Sequence, residues 1–145
     1  MTRQTIIFGS DHAGIGLKNN LIGHLSGVNE TIDVGTTECS SCDYPQYAVK
    51  LCTQVLERKC LGILICGSGI GMSMVANRIK GIRAALCANE FMARMSRRHN
   101  NANVLCMGDR VIGVELAISI AEEFLNNSFE AGRHARRVEL IDSLT

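Results

Sequence analysis

The segment from Gly62 to Arg78, GILICGSGIGMSMVANR, constrains the fold more than any other stretch of the chain. Its apolar run Ile63-Leu64-Ile65 has the composition of a strand buried on both faces, which is the habit of parallel sheets. The run breaks at Cys66 into Gly67-Ser68-Gly69-Ile70-Gly71, and a helical pattern resumes through Met72, Met74, Val75 and Ala76. A thiol therefore sits on a strand-to-helix turn whose glycines leave backbone amides uncovered. The first N–H groups of a helix have no internal partner and its dipole favours negative charge, so such a turn binds anions. The same field favours a thiolate. A reactive base beside an anion cradle is what enediolate chemistry requires.

Apolar runs and helical patterns alternate along the rest of the chain. Strands are expected at Thr5–Gly9, Thr31–Val34, Leu61–Ile65, Arg83–Cys87 and Asn103–Cys106. Helices are expected at Ile15–Leu25, Pro45–Arg58, Gly71–Ile79, Glu90–Arg98, Gly113–Asn126 and Arg133–Leu144, with a polar loop over Gly35–Asp43. Strands alternating with helices through short connections imply an α/β fold, a parallel sheet with helices on both faces. One domain is expected over residues 1–145. In such sheets ligands bind beyond the carboxyl ends of the strands. Ser10-Asp11-His12, Asp43-Tyr44-Pro45, Cys66 with its glycine turn, and Gly108-Asp109-Arg110 all fall on that edge.

Bulk properties exclude several classes. A net charge of +1 creates no field that would recruit nucleic acid. No apolar run is long enough to span a bilayer and none has a signal-peptide design, so the expectation is a cytoplasmic protein. The 7 cysteines are an odd number with no sign of export, which favours reduced thiols. Cys52, Cys60, Cys87 and Cys106 fall in apolar surroundings and read as small core residues. Cys39-Ser-Ser-Cys42 is a lone pair, and a structural zinc would need a second one. No metal is expected.

Other features read two ways. Asp11 can cap the helix that follows it or hold a ligand. His99 can be a helix-terminal cation, with Asn100 as the left-handed cap, or a proton donor near neutrality. Arg133 and Arg137 share one helical face near His134 and could grip a phosphate, although basic faces are commonly just solvated. The glycines at 67, 69 and 71 approach the dinucleotide fingerprint, but Met72 occupies the place its third glycine would need.

Together these pieces resemble the ribose-5-phosphate isomerase B family, which also contains allose- and galactose-6-phosphate isomerases. The matching motifs are Gly9-Ser-Asp-His-Ala-Gly14, Asp43-Tyr-Pro45, Ile65-Cys-Gly-Ser-Gly-Ile-Gly71, Ser96-Arg-Arg-His-Asn100, Gly108-Asp-Arg110 and Gly132-Arg-His-Ala-Arg-Arg137, in family order. The resemblance implies a Rossmann-like three-layer αβα sandwich with a five-stranded parallel sheet. It implies a homodimer with shared active sites, with further pairing into tetramers left open, and no cofactor. By the same resemblance Cys66 is the base, Ser68 supplies a hydroxyl, and His99 protonates the ring oxygen during ring opening. Asp11, His12, Tyr44 and Asn100 would contact the sugar, and Gly67, Gly69, Ile70 and Gly71 would form the anion hole. Arg110, Arg133, His134 and Arg137 would hold the phosphate. The implied substrate is a phosphorylated sugar, ribose 5-phosphate ahead of a hexose 6-phosphate. A non-catalytic sugar-phosphate sensor and a small dinucleotide-binding module are the alternatives of other classes.

Overall fold

The computed structural model describes residues 3–145. Five strands, β1 (Thr5–Ser10), β2 (Glu30–Asp33), β3 (Leu61–Cys66), β4 (Ala84–Leu86) and β5 (Val104–Gly108), form one sheet in the order β2-β1-β3-β5-β4. Every pairing in it is parallel. The helices are α1 (Ile15–Leu25), α2 (Tyr44–Arg58), α3 (Ile70–Ala76), α4 (Glu90–Arg98), α5 (Val114–Asn126) and α6 (Arg133–Asp142). The result is the expected Rossmann-like three-layer αβα sandwich.

Strand alternation divides the core in two. Ile6, Phe8, Ile63, Ile65, Leu105 and Met107 face α1, α4 and α5, against Leu17, Leu21, Ala93, Ile120 and Phe124. Ile7, Leu64, Cys66, Val104 and Cys106 face α2 and α3, against Leu51, Val55, Met72 and Ala76. The central strands β3 and β5 carry apolar side chains to both layers, which is why they read as unbroken apolar runs. The edge strand β2 does not, and its four residues are exposed or half-buried.

The chain runs outward from β1 to β2, then back past β1 to β3. Crossover connections are right-handed, so this reversal places α1 and α2 on opposite faces. It also opens a crevice between the carboxyl ends of β1 and β3, the place where parallel sheets bind ligands. The strand order gives that crevice to Asp11–His12 on one side and Cys66–Gly71 on the other.

The element boundaries move by one to three residues from expectation. β3 runs on to Cys66 and α3 stops at Ala76 rather than Ile79. The left-handed residue after α4 is Asn101, at φ 47°, and not Asn100. Cys60 is half-buried rather than core, while Cys52, Cys87 and Cys106 are buried. Among the described residues no helix is long and apolar enough to cross a membrane.

Burial pushes the Cys52 thiol up to about 12 and that of Cys87 to about 11. Cys106 is raised by its burial as well. A thiolate is the reactive form, so these thiols are protected twice, by access and by charge. Alkylation of the native protein followed by peptide mass analysis should label exposed Cys39 and spare Cys52, Cys87 and Cys106 until denaturant is added. Labelling of the buried group at the same rate would contradict this core.

Candidate active site

The turn after β3 is built on close backbone approach. Gly69 sits at φ +81°, and a Cβ there would lie 2.6 Å from Leu86 Cδ1 and 2.9 Å from the Met107 carbonyl carbon. Only glycine suits both demands. A Cβ on Gly108 would likewise meet the Ser68 backbone at 2.6 Å. Asp109 N–H donates to the Cys66 carbonyl at 2.9 Å, and Arg110 N–H donates to the Gly67 carbonyl at 3.0 Å. The turns after β3 and β5 are thereby fastened to each other, and the Arg110 guanidinium comes to lie over Gly67.

On the other side, Asp11 closes the 3-10 turn His12–Gly14, its Oδ1 accepting from the amides of Ala13 at 3.0 Å and Gly14 at 3.2 Å. The capping role is therefore real, and it holds a nearly buried carboxylate at the ligand edge. Asp11 N–H reaches the Ile65 carbonyl at 3.3 Å, so this turn docks on the end of β3.

These pieces enclose an open cleft of about 610 Å³ lined by Asp11, His12, Tyr44, Cys66, Ser68 and Arg110, among others. Gly67, Ile70 and Gly71 line it too. The Cys66 thiol is buried at its floor and accepts a hydrogen bond from Gly69 N–H at 3.1 Å. Tyr44 leans on Gly71, where a Cβ would fall 2.6 Å from the tyrosine Cζ. The amides of the glycine turn are not all free, as the sequence had suggested. Gly69 N–H serves Cys66, and Ile70 N–H donates to Ser68 Oγ at 3.2 Å. No acceptor for the Gly71 amide is found among the described residues, which leaves it for a ligand.

A second group of expected site residues lies apart from this cleft, at the end of α4 and the start of α6. His99 stacks on His134 with ring centroids 4.1 Å apart and planes inclined by 13°. Burial lowers the His134 pKa from its ordinary value; His99, Arg133 and Arg137 push the same way, against Glu130. Arg97 and Arg98 are the structural members of their helix end. Arg97 lies over the Phe124 ring and Arg98 pairs with Glu130, which brings the lead-in to α6 against α4. Asn100, Arg133 and Arg137 are exposed beside the stacked rings. The donor atoms of His99, Glu130 and His134 come within 4.8 Å of one another. Lone pairs of face-to-face imidazoles run side by side rather than converge, and Arg133 and Arg137 repel a cation there, so the set is ill-suited to a metal.

Two contacts that brace the site have no signature in the sequence. Asp109 Oδ2 accepts from Leu17 N–H at 3.0 Å, capping α1 from the far side of the sheet edge. Lys18 is fully buried, its ammonium paired with Asp33 at 2.9 Å and donating to the Thr36 carbonyl at 2.8 Å. Neither spacing nor periodicity could reveal partners so distant in the chain.

A thiol on a strand-to-helix turn, beside a carboxylate, an imidazole and a guanidinium, is a set of groups suited to proton transfer on an anionic substrate. The comparisons make that class specific. The profile of the Ribose/Galactose Isomerase family matches residues 6–141, and the chain belongs to that family of sugar-phosphate isomerases. It is 45% identical over 142 residues to ribose-5-phosphate isomerase B of Escherichia coli K12, covering 96% of this chain and 95% of that protein. Ribose 5-phosphate isomerase of Thermotoga maritima superposes with a TM-score of 0.94 at 47% identity, covering 97% of this chain and 98% of that one. The type B enzyme of Trypanosoma brucei superposes with a TM-score of 0.94 at 37% identity over the full length of both.

Losing the Asp109 cap should cost about 1 kcal/mol, the usual loss when a capping side chain is cut to alanine. Denaturant melts of Asp109→Ala should show that decrease with an unchanged slope. A variant as stable as the parent would show that the carboxylate does not hold α1.

Proposed function

We propose that the chain interconverts ribose 5-phosphate and ribulose 5-phosphate through a cis-enediolate, and that two copies build each active site. The observation that carries this reading is the Cys66 thiol, hydrogen-bonded by Gly69 N–H, on the floor of a cleft between Asp11–His12 and Arg110. The names of the relatives, ribose-5-phosphate isomerase B, support the choice of a pentose phosphate.

In this mechanism His99 protonates the ring oxygen as its bond to C1 breaks, the C1 hydroxyl gives up its proton to water, and the furanose opens to the aldehyde. The Cys66 thiolate then removes the C2 proton of the aldose, and charge passes onto the carbonyl oxygen at C1. Backbone amides of the glycine turn, Gly71 first among them, stabilise that oxygen, at about 3 kcal/mol per donor by analogy with oxyanion holes. Ser68 brings a hydroxyl to the same oxygens while a proton passes from O2 to O1. Cys66 then returns its proton to C1 and the ketose is complete. Asp11, His12, Tyr44 and Asn100 hold the sugar. Arg110, Arg133, His134 and Arg137 hold the phosphate, whose binding energy orients carbons it does not touch.

One chain does not bring all these groups together, and that is the ground for a homodimer. Ile70, Met74 and Val111 at the cleft are 48%, 64% and 62% exposed, and Phe91 on α4 is 63% exposed. Apolar side chains left in water around an open polar cleft suit a surface that a second copy covers. In the dimer, His99, Asn100, Arg133, His134 and Arg137 of one copy would complete the Cys66 cleft of the other.

Two outcomes test this. Cys66→Ala should abolish turnover of ribose 5-phosphate while a phosphate-bearing inhibitor still binds within a few-fold; near-normal turnover would remove Cys66 from the role of base. Cys66→Ala and His99→Asn proteins, each inactive alone, should regain about a quarter of wild-type activity when unfolded, mixed in equal amounts and refolded, because half of the symmetric dimers then hold one intact site. No recovery from a well-folded mixture would place both residues in one chain's site.

A further inference from the structure

The loop between β2 and α2, residues 34–43, crosses the carboxyl end of β1 and is tied down firmly. Lys18 holds its start through Asp33 and the Thr36 carbonyl. Thr36 N–H donates to the Ser10 carbonyl at 3.1 Å, and a Cβ on Gly35 would sit 2.4 Å from Ser10 N. A buried ammonium without its partners is costly, so the position of this loop is enforced by the charge beneath it. Near its other end, Cys42 N–H donates to His12 Nδ1 at 3.3 Å, and the Cys42 Sγ lies 3.7 Å from the same nitrogen.

We propose that this loop is a positioning device: the Cys42 amide fixes His12 as the neutral imidazole protonated on Nε2, so that His12 meets the substrate as a hydrogen-bond donor. A neutral imidazole has one donor and one acceptor nitrogen, and the one that accepts from a backbone amide is the one without a proton. Protonation at Nδ1 would set two N–H groups against each other. An amide cannot give up this role by titrating, as a carboxylate partner could. What this does for the reaction rests on the isomerase reading of the cleft. A donor at position 12 suits a phosphate or sugar oxygen, and it leaves proton abstraction to Cys66. Cys42 is then a positioning residue that acts through His12.

Long-range nitrogen–proton NMR of the ligand-free protein reads the tautomer directly, with His12→Asn assigning its signals among the 4 histidines. At neutral pH His12 should show an unprotonated Nδ1 and a protonated Nε2. Cys42→Ala keeps the amide and should keep that pattern. Cys42→Pro removes the N–H and should lose the single-tautomer signature to a mixture. A protonated or exchange-averaged Nδ1 in the wild type, or an unaltered pattern in Cys42→Pro, would overturn the proposal. Should Cys42→Pro fail to fold, the wild-type spectrum decides alone. The measurement needs no substrate. An inactive protein with the Nε2–H form would therefore sink the isomerase reading only, and an active one with the other form would sink this proposal only.

Discussion

The site depends on one constraint, the close approach of the turns that follow β3 and β5. Gly108 packs against the Ser68 backbone with no space for a Cβ, and two amides of the second turn donate to carbonyls of the first. That contact fixes the thiol of Cys66 on the floor and lays Arg110 across Gly67. The same second turn sends Asp109 under the sheet edge to cap α1, the helix that follows the Asp11–His12 turn. Three loops far apart in sequence thus become one rigid rim. Rigidity matters here because proton transfer at carbon depends on reacting atoms held at a fixed distance.

Around that rim, polar groups are satisfied in a way that also assigns them chemistry. Asp11 spends one oxygen on two amides of its own turn, so capping leaves the other free for the proposed contact with the sugar. Gly69 gives its amide to the thiol, which narrows the proposed anion hole toward Gly71. On the other side of the chain, stacking of His99 on His134 gathers a second set of groups apart from the Cys66 cleft. The proposed dimer is what would bring the two sets together.

The central elements were legible in the sequence because β1, β3 and β5 are buried on both faces and show as unbroken apolar runs. The alternation of strands and helices gave a parallel sheet, and the glycine turn at Cys66 gave the ligand edge. What stayed hidden was of two kinds. Helix ends moved because terminal turns are settled by local contacts, as where α3 ends at Ala76 and Asn101 takes the left-handed position. The contacts of Lys18 and Asp109 were invisible because they depend on partners brought in by the fold. The lone Cys39–Cys42 pair carried no metal or redox pattern, yet the Cys42 amide proves to touch the His12 ring.

The account centres on proton transfer to and from Cys66, and solvent isotope tests that most directly. Purified protein, free of added metal and nucleotide, would be incubated with ribose 5-phosphate in deuterium oxide and followed by NMR. A thiol that exchanges its proton while the enediolate waits should place deuterium at C1 of ribulose 5-phosphate and, after return, at C2 of the aldose. Isomerisation through many turnovers with no deuterium on either carbon would contradict an enediolate that waits on a solvent-exchanging Cys66 thiol.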